Sequence, residues 1–403
     1  MSSSLIARLR EFNADREPDR LAIKYERMRR DAFAFFRGTA HLFYGDWPRR
    51  SPLDRTPLTW ACGDLHLENF GSYKGANRLA YFDINDFDEA ALAPAGRDLA
   101  RFAVSTLLAA RTMGLPATEA RSLLHQARMA YCHALSSGKA LWIERATARG
   151  LVKRLLQTVK RRTQAQLIDS RTTVSRGRRR LKIDGLHALA LSREGKEAVA
   201  RTLAKSRVCR ETPHFFRVLD VARRIAGTGS LGVRRFTVLV EGHGGRKGNA
   251  LLDLKEAAPS TLAASVDVRQ PRWDSEADRV VSIQRRVQAV SPALLNSVRM
   301  GHASYILREL QPVEDRLALE SARDKRRRLA DALDVMGEVI AWAQLRSASR
   351  DGSAGADEWV AFGHSAAWVR PLIDYSRYYA DVVYGYWREF AVAYDDGEFR
   401  VPQ

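Results

Sequence analysis

Gly63-Asp64-Leu65-His66-Leu67-Glu68-Asn69-Phe70 is the most informative stretch of this sequence. Four residues separate Asp64 from Asn69, so one short loop can direct both side chains towards the same point. A positioned carboxylate can orient and deprotonate a hydroxyl group, and an amide oxygen is one of the hard ligands that Mg²⁺ accepts. The spacing predicts that Asp64 and Asn69 are catalytic, with Asn69 also binding a metal ion.

A second acidic turn follows this loop. Residues 58–62 (LTWAC) and 79–84 (LAYFDI) have the composition of short strands, and the polar stretch SYKGANR between them is typical of a turn. Beyond the second strand, Asp86 is the predicted second metal ligand, and Asp83 is the alternative. Phosphoryl transfer needs this equipment, because its catalysis depends on positioning and on neutralising phosphate charge with metal ions.

Two neighbours of Asp64 have more than one interpretation. His66 could support the loop by packing beneath it or could act as a general base, and the structural role is favoured. Cys62 could be taken for a nucleophile, but its neighbours Trp60, Ala61 and Gly63 favour a small buried side chain. Cys62, Cys132 and Cys209 match no metal-binding spacing.

A glycine-rich run lies in the second half of the chain. Gly227, Gly229 and Gly232 form a G-x-G-x-x-G pattern, and glycines allow backbone N–H groups to approach phosphates closely. A dinucleotide-binding turn would be followed by a helix, whereas VRRFTVLVEG after these glycines is β-rich and pairs with ALLDLKEA in a predicted hairpin. The alternation of side chains along a strand places Asp253 and Lys255 on one face and Leu254 on the other. We therefore expect Lys255 and the three glycines to bind the phosphates of a nucleotide.

The motifs GDLHLENF, IND-FDEA and Arg97-Asp98-Leu99-Ala100 together resemble the aminoglycoside phosphotransferase and choline kinase branch of the protein-kinase-like fold. The resemblance implies ATP and Mg²⁺ as cofactors and a structural role for Asp98, and it favours Asp86 over Asp83 as the metal ligand. It also implies that backbone groups of Arg308, Glu309 and Leu310, before Pro312, meet adenine. The Glu that would pair with Lys255 is not assigned, and Glu276 and Gln284 are both candidates.

The chain as a whole resembles a bacterial family known as domain of unknown function 2252. That likeness rests on FAFFRGTAHLF, CGDLHLENFG, GTGSLGVRRF, LKEA and YILREL, which are spread over most of the length. It implies no particular substrate.

The two halves of the site stand in the opposite order to that of kinases. The predicted fold class is therefore α+β, a protein-kinase-like two-lobe fold with circular permutation, a large helical lobe and a small antiparallel β lobe. Residues 1–212 would form the helical lobe with the catalytic loop and the metal-binding turn. Residues 213–317 would form the nucleotide-binding β lobe, and residues 318–403 the C-terminal helices that complete the helical lobe.

Composition narrows the location and the partners. The 403 residues include no apolar stretch long enough for a membrane helix and no signal-peptide pattern, which predicts a cytoplasmic protein. The net charge is +19, and residues 145–210 carry 19 Lys and Arg against four Asp and Glu. Such a segment could meet an anionic small molecule or nucleic acid. It has no Phe, Tyr or Trp, so it lacks the stacking platforms of single-strand binders.

The function predicted first is ATP- and Mg²⁺-dependent phosphoryl transfer to an unidentified hydroxyl acceptor. Transfer of AMP instead of phosphate is a variant that the sequence does not separate from it. A catalytically silent kinase-like protein and a basic nucleic-acid-binding module on the same scaffold are the alternatives.

Overall fold

The computed structural model describes residues 4–206, 211–244, 248–311, 315–317, 319 and 326–400. The fold is mixed α+β, and its sheets are antiparallel. The helices within the described residues are α1 (Leu5–Phe12), α2 (Pro18–Arg29), α3 (Ala32–Gly38), α4 (Ala40–Gly45), α5 (Ala95–Thr112), α6 (Ala117–Ser136), α7 (Gly150–Lys160), α8 (Gln164–Arg171), α9 (Arg193–Lys205), α10 (Thr261–Ser265), α11 (Glu276–Val287), α12 (Arg326–Arg346), α13 (Ala356–His364) and α14 (Val369–Asp395).

The strands within the same residues belong to four sheets. They are β1 (Leu58–Ala61), β2 (Phe70–Lys74), β3 (Ala80–Ile84), β4 (Ala91–Pro94), β5 (Ile143–Glu144), β6 (Thr172–Ser175), β7 (Arg178–Leu181), β8 (Ala188–Leu189), β9 (Val218–Arg224), β10 (Arg235–Val240), β11 (Ala250–Glu256), β12 (Asn296–Met300), β13 (Ala303–Glu309) and β14 (Asp315–Arg316). Short 3₁₀ turns occupy Pro52–Arg55 and Leu67–Asn69.

The larger sheet has the strand order β12-β13-β11-β10-β9-β8. The hairpin predicted from VRRFTVLVEG and ALLDLKEA is confirmed, because β10 pairs with β11 and Arg235 lies opposite Lys255. The strand-like segment ASYILREL contains β13, which pairs with β11 on the other side. Lys255 is therefore on a central strand, where its backbone position is fixed from both sides.

The helical part is organised around α5. Nearly all of α5 is buried, and α14 and α6 pack against it, while α12 packs along α6. One continuous hydrophobic core joins these helices to α1–α4 and to β1, β3 and β4. The larger sheet has hydrophobic clusters of its own, formed by side chains such as Val238, Leu252 and Leu307.

Two sequence interpretations were wrong. Ser72–Lys74, expected in a polar turn, belong to β2, which is buried because β14 and β3 pair with its two edges. Residues 161–185 are polar and basic, a composition that predicts an exposed loop or an irregular helix pair, but they contain α8 and the β6–β7 hairpin. None of the described helices is long and apolar enough to span a membrane.

Candidate functional site

A cleft of about 380 Å³ lies between the larger sheet and the loop that carries Asp64. The predicted site residues that line it are Asp64, His66, Asn69, Asp86, Gly227, Gly229, Lys255 and Arg308. Over the described residues, its lining does not include the predicted nucleotide contacts Gly232, Glu309 and Leu310.

The loop before Asp64 is held by a buried carboxylate. Asp98, on α5, accepts the backbone N–H groups of Cys62 at 2.9 Å and Gly63 at 3.0 Å, in agreement with the anchoring role predicted for it. Burial raises the pKa of Asp98 to about 6, although these two hydrogen bonds favour its charged form. Gly63 has a φ of +78°, and a Cβ there would lie 2.1 Å from the carbonyl oxygen of Glu89. Cys62 is buried and free, in agreement with its interpretation as a packed side chain, whereas Cys209 lies outside the described residues.

Asp64 is held from behind by an arginine. The Nε atom of Arg101, one helical turn after Asp98, donates to Asp64 Oδ1 at 2.6 Å, and Arg101 is fully buried. Burial raises the pKa of Asp64, and the Arg101 guanidinium opposes that rise. The second oxygen of Asp64 lies 3.7 Å from His66 Nε2. The carboxylate is thus fixed by one oxygen and directed into the cleft with the other.

His66 is a neutral side chain beneath the loop. Burial, together with the nearby Arg37 and Arg101, lowers its pKa well below the ordinary value. Its ring meets the ring of Phe33 edge-on at 6.4 Å, and within the described residues its Nδ1 atom has no hydrogen-bond partner. These contacts favour the supporting role over that of a general base.

The side chain of Asn69, predicted to bind a metal ion, is hydrogen-bonded to backbone groups instead. Its Oδ1 atom accepts the backbone N–H of Asp86 at 2.7 Å and that of Asn85 at 3.2 Å. Its Nδ2 atom donates to the carbonyl oxygens of Asp64 and Asp86, both at 3.0 Å. An amide oxygen has two lone pairs, and both are engaged here. Asn69 therefore ties the loop to the acidic turn, and this geometry does not offer it as a metal ligand.

Asp83 is buried, whereas Asp86, three residues later, is half exposed. Asp83 is only 3% exposed and binds Arg346 at 2.9 Å, and it also accepts the backbone N–H of Ala289. The side chain of Asp86 is 50% exposed and lines the cleft. Of the two predicted alternatives, only Asp86 can reach a ligand there.

Lys255 reaches the acidic turn from the larger sheet. Its Nζ atom lies 3.5 Å from Asp86 Oδ1 and forms a closer ion pair with Asp88. Burial and the neighbouring Asp86 raise the pKa of Asp88. Of the two candidate partners on α11, Gln284 lines the cleft, whereas Glu276 pairs with Arg279 at 2.7 Å. In this structure the lysine is paired with the turn rather than with a helix glutamate.

The glycine-rich loop joins β9 to β10 and is held by basic side chains of α2 and of the turn before it. Arg16 donates to the carbonyl oxygen of Gly229 at 2.7 Å, and Lys24 donates to the same oxygen at 3.3 Å. Arg27 donates to the carbonyl oxygen of Gly227. A Cβ on Gly229 would lie 4.0 Å from Asp64 Oδ2. The loop therefore covers Asp64 directly.

Gly232 has another role from the one expected. A Cβ on this residue would lie 2.6 Å from the Cβ of Arg16, and its φ is +89°. Its carbonyl oxygen accepts the backbone N–H of Glu17 at 2.9 Å. Gly232 thus allows close packing against the N-terminal segment and does not border the cleft.

Three arginines meet one buried carboxylate at the wall of the cleft. Asp253 is only 1% exposed, and it binds Arg224 at 2.8 Å, Arg235 at 2.7 Å and Arg308 at 3.2 Å. The three guanidinium groups lower its pKa well below the ordinary value, against the effect of burial. Arg308, expected to meet adenine with its backbone, instead brings a positive charge to the cleft.

The other two predicted adenine contacts are engaged within the fold. The backbone N–H of Leu310 donates to Leu251 at 2.8 Å, and that of Glu309 donates to Ala293 at 3.1 Å. The Glu309 carboxylate binds Arg78 at 2.7 Å. Neither N–H is therefore available to a nucleotide base in this conformation, and Pro312 lies outside the described residues.

Sequence reasoning missed several residues of the site. Arg101 follows Asp98 by three positions, and helical periodicity could have placed both on the face that meets the loop. Asp88 is part of the quoted acidic run but was given no role. The basic residues of α2 and of the preceding turn, which hold the glycine-rich loop, are distant from it in sequence, and no local signal could have identified them.

The chain belongs to the family described as "Uncharacterized protein conserved in bacteria (DUF2252)", whose model matches residues 16–393. The match includes both the Asp64 loop and the glycine-rich loop. Searches of curated proteins and of solved structures found no match to this chain.

Proposed function

We propose that this protein is an ATP- and Mg²⁺-dependent phosphotransferase with a kinase-like, circularly permuted arrangement, acting on a hydroxyl acceptor. The observation that carries the proposal is the meeting of Lys255 with Asp86 and Asp88 in the cleft where Asp64 also lies. These residues come from segments far apart in sequence, and phosphoryl transfer requires cations, metal-binding carboxylates and an orienting base at one point.

In the proposed reaction Asp64 orients the acceptor hydroxyl and takes its proton. Its raised pKa makes it a better base than an exposed aspartate, while Arg101 keeps it in one orientation. Lys255 leaves its pairing with the acidic turn to bind donor phosphates, with Gly227 and Gly229 above them.

The residues present fit Mg²⁺ in number and type. Over the described residues no three His, Cys, Asp or Glu side chains are grouped to hold a metal. Mg²⁺ does not need such a group, because one or two carboxylates, water and substrate phosphates complete its coordination. Asp86 and Asp88 would hold it, and when bound the ion would neutralise charge on the phosphates. The residues that would bind ATP are those on the phosphate side of the cleft. The backbone N–H groups of Glu309 and Leu310, predicted to meet adenine, are hydrogen-bonded within the fold instead.

Binding of the donor without transfer is a second candidate. It is supported by Asn69, whose amide is fully used between the loop and the turn. Lys255 is likewise paired with both aspartates.

The test compares wild-type protein with Asp64→Asn. MgATP at about a hundredfold over its Kd should stabilise both by roughly 2.7 kcal/mol, a shift of a few degrees in Tm. Transfer should fall about 10²–10⁴-fold in the variant. The matched control is Asp46→Asn, which changes a carboxylate paired with Arg8 at 2.6 Å, outside the lining of the cleft.

The outcomes separate the candidates. No change of Tm in millimolar MgATP refutes the proposal. A shift of Tm without turnover in the wild type supports the silent protein, and the mass of the product distinguishes phosphate transfer from AMP transfer.

A further inference from the structure

A second cavity of about 430 Å³ lies beside the cleft. The two share Arg224 and Ala226 in their walls, at the start of the glycine-rich loop. One wall of the second cavity comes from β9, β10 and Leu310, and the other comes from α8, β7 and the turn that follows. That second wall belongs to the basic segment 145–210, which the proposed reaction does not use.

Cationic side chains from separate elements converge on this cavity. Its lining includes Arg162 after α7, Arg171 at the end of α8, Lys182 after β7 and Arg224 at the end of β9. The Nζ atom of Lys182 is fixed by the carbonyl oxygens of Asp169 at 3.2 Å and of Ser170 at 3.1 Å. These positions are set by the backbone, so the charges are held in place before a ligand arrives.

Arg171 provides the second observation. Its Nη1 atom is buried and has no hydrogen-bond partner within the described residues. A buried donor without an acceptor costs free energy, and a guanidinium group forms its strongest hydrogen bonds with phosphate or carboxylate oxygens. One donor of Arg171, beside the cavity, is thus left without an acceptor among the described residues.

The acidic residue of the lining does not supply that acceptor. Among the described lining residues the only carboxylate is that of Asp184. It accepts the backbone N–H of His187 at 2.7 Å and that of Leu186 at 3.0 Å, and its other oxygen lies 2.8 Å from the His187 ring. Asp184 shapes its own turn and carries the one negative charge among the described lining residues, against four cationic side chains. Two of these cations, Arg162 and Arg224, are paired with Asp315 and Asp253, which do not line the cavity.

We infer that this cavity binds the phosphate group of a small phosphorylated molecule, at a site separate from the catalytic cleft. Arg171 and Lys182 bind the phosphate, and the apolar side chains of Leu167, Ile225 and Leu310 contact the remainder of the ligand. The concave shape fits a small molecule better than a nucleic-acid backbone, which runs over a surface. Arg224, which lines both cavities, also binds Asp253 at 2.8 Å.

The experiment uses inorganic phosphate as the probe and the full-length protein. Thermal unfolding is followed in phosphate and in chloride at equal ionic strength, without nucleotide. Wild type should gain about 2 °C in saturating phosphate. Arg171→Met and Lys182→Met should each lose this gain. Arg178→Met, an exposed position on the same hairpin, and Lys255→Met, in the cleft, should retain it.

Each other outcome overturns the inference. If Lys255→Met loses the gain and Arg171→Met keeps it, phosphate binds in the cleft. If all variants respond equally, or none exceeds chloride, the cavity has no specific affinity for phosphate. Two variants are used because Lys182 is partly exposed and its replacement tests the site should Arg171→Met fail to fold. The assay contains no MgATP, so its result is independent of the proposed transfer reaction.

Discussion

Asp83 and Asp86 differ in what their carboxylates contact. Asp86→Ala should remove the stabilisation by MgATP, because the half-exposed carboxylate is the one available to a metal ion. Asp83→Ala should instead take the carboxylate partner from the largely buried Arg346 and destabilise the fold by up to about 3 kcal/mol, since Arg346 keeps two backbone carbonyl acceptors. Denaturant unfolding with and without MgATP measures both effects. The opposite pattern would place the metal at Asp83.

His41 predicts an acid sensitivity of the fold. Its ring stacks on Phe12 with centroids 3.7 Å apart, and within the described residues both ring nitrogens are buried without partners. Burial, reinforced by Lys24 and Arg16, lowers its pKa to about 2. Between that value and about 6.5 the unfolded chain binds the extra proton, so stability falls as the pH drops below about 6.5.

His41→Phe keeps an aromatic ring on Phe12 and removes this proton linkage. The loss of unfolding free energy between pH 7.5 and pH 5 should become smaller by about 1–2 kcal/mol. His302→Phe, at an exposed position, is the control and should leave the loss unchanged. Identical pH profiles for wild type and His41→Phe would mean that the pKa of the ring is the same in the folded and the unfolded chain.

The helix α2 and the turn before it act on the glycine-rich loop as one element. Arg16 donates to the carbonyl oxygens of Gly229 at 2.7 Å and Leu231 at 2.6 Å. Hydrogen bonds from a charged donor contribute about 1.5–3 kcal/mol each. Arg16→Met should therefore raise amide exchange in residues 226–232 by at least about tenfold.

The matched control for this exchange experiment is Arg29→Met. Arg29 is on α2 but binds Asp395 at 2.6 Å on α14, away from the loop. Exchange in residues 226–232 should stay at the wild-type rate in this variant. Equal exchange in both variants would show that the loop is held by its own hairpin and not by the N-terminal segment.

Elements were predictable where their signal is local. The alternation in β10 and β11 and the turn between them identified the hairpin. The apolar residues of LARFAVSTLLAAR, at helical spacing, likewise predict a helix, and that segment lies in α5. In contrast, β9 was missed because its sequence contains Asp220, Arg223 and Arg224. Their charges are paired with Lys196, Glu17 and Asp253 from other elements. Local spacing likewise identified Asp64 and Asp86, whereas the use of Asn69 depends on a backbone contact that only the folded turn creates.

The two ends of the described chain meet on one side of the molecule. Arg10, on α1, donates to the carbonyl oxygen of Glu398 at 2.7 Å, and α1 packs against α14. Trp387 of α14 also donates to the carbonyl oxygen of Arg29. N-terminal and C-terminal helices therefore share one core, although the larger sheet lies between them in sequence.

Circular permutation is tolerated where the ends of a domain lie close together. A chain rearranged to start at Pro213, with Gln403 linked to Met1 and ending at Thr212, places the glycine-rich loop before the Asp64 loop, in the order found in kinases. We expect it to fold with a Tm within a few degrees of wild type and to keep the stabilisation by MgATP, because the contacts of Lys255 with Asp86 and Asp88 do not depend on chain order.

The control for the rearranged chain is opened between Leu107 and Leu108 instead. This break falls inside α5, whose buried side chains join Asp98 to the core, so the chain should not reach the native far-UV spectrum or melt cooperatively. Melting curves of the two permutants give the comparison. The chain opened at Pro213 could also fail to fold while the wild type is stable under the same conditions. The fold would then depend on the natural chain order of the helices and the larger sheet, and the permuted arrangement would be wrong.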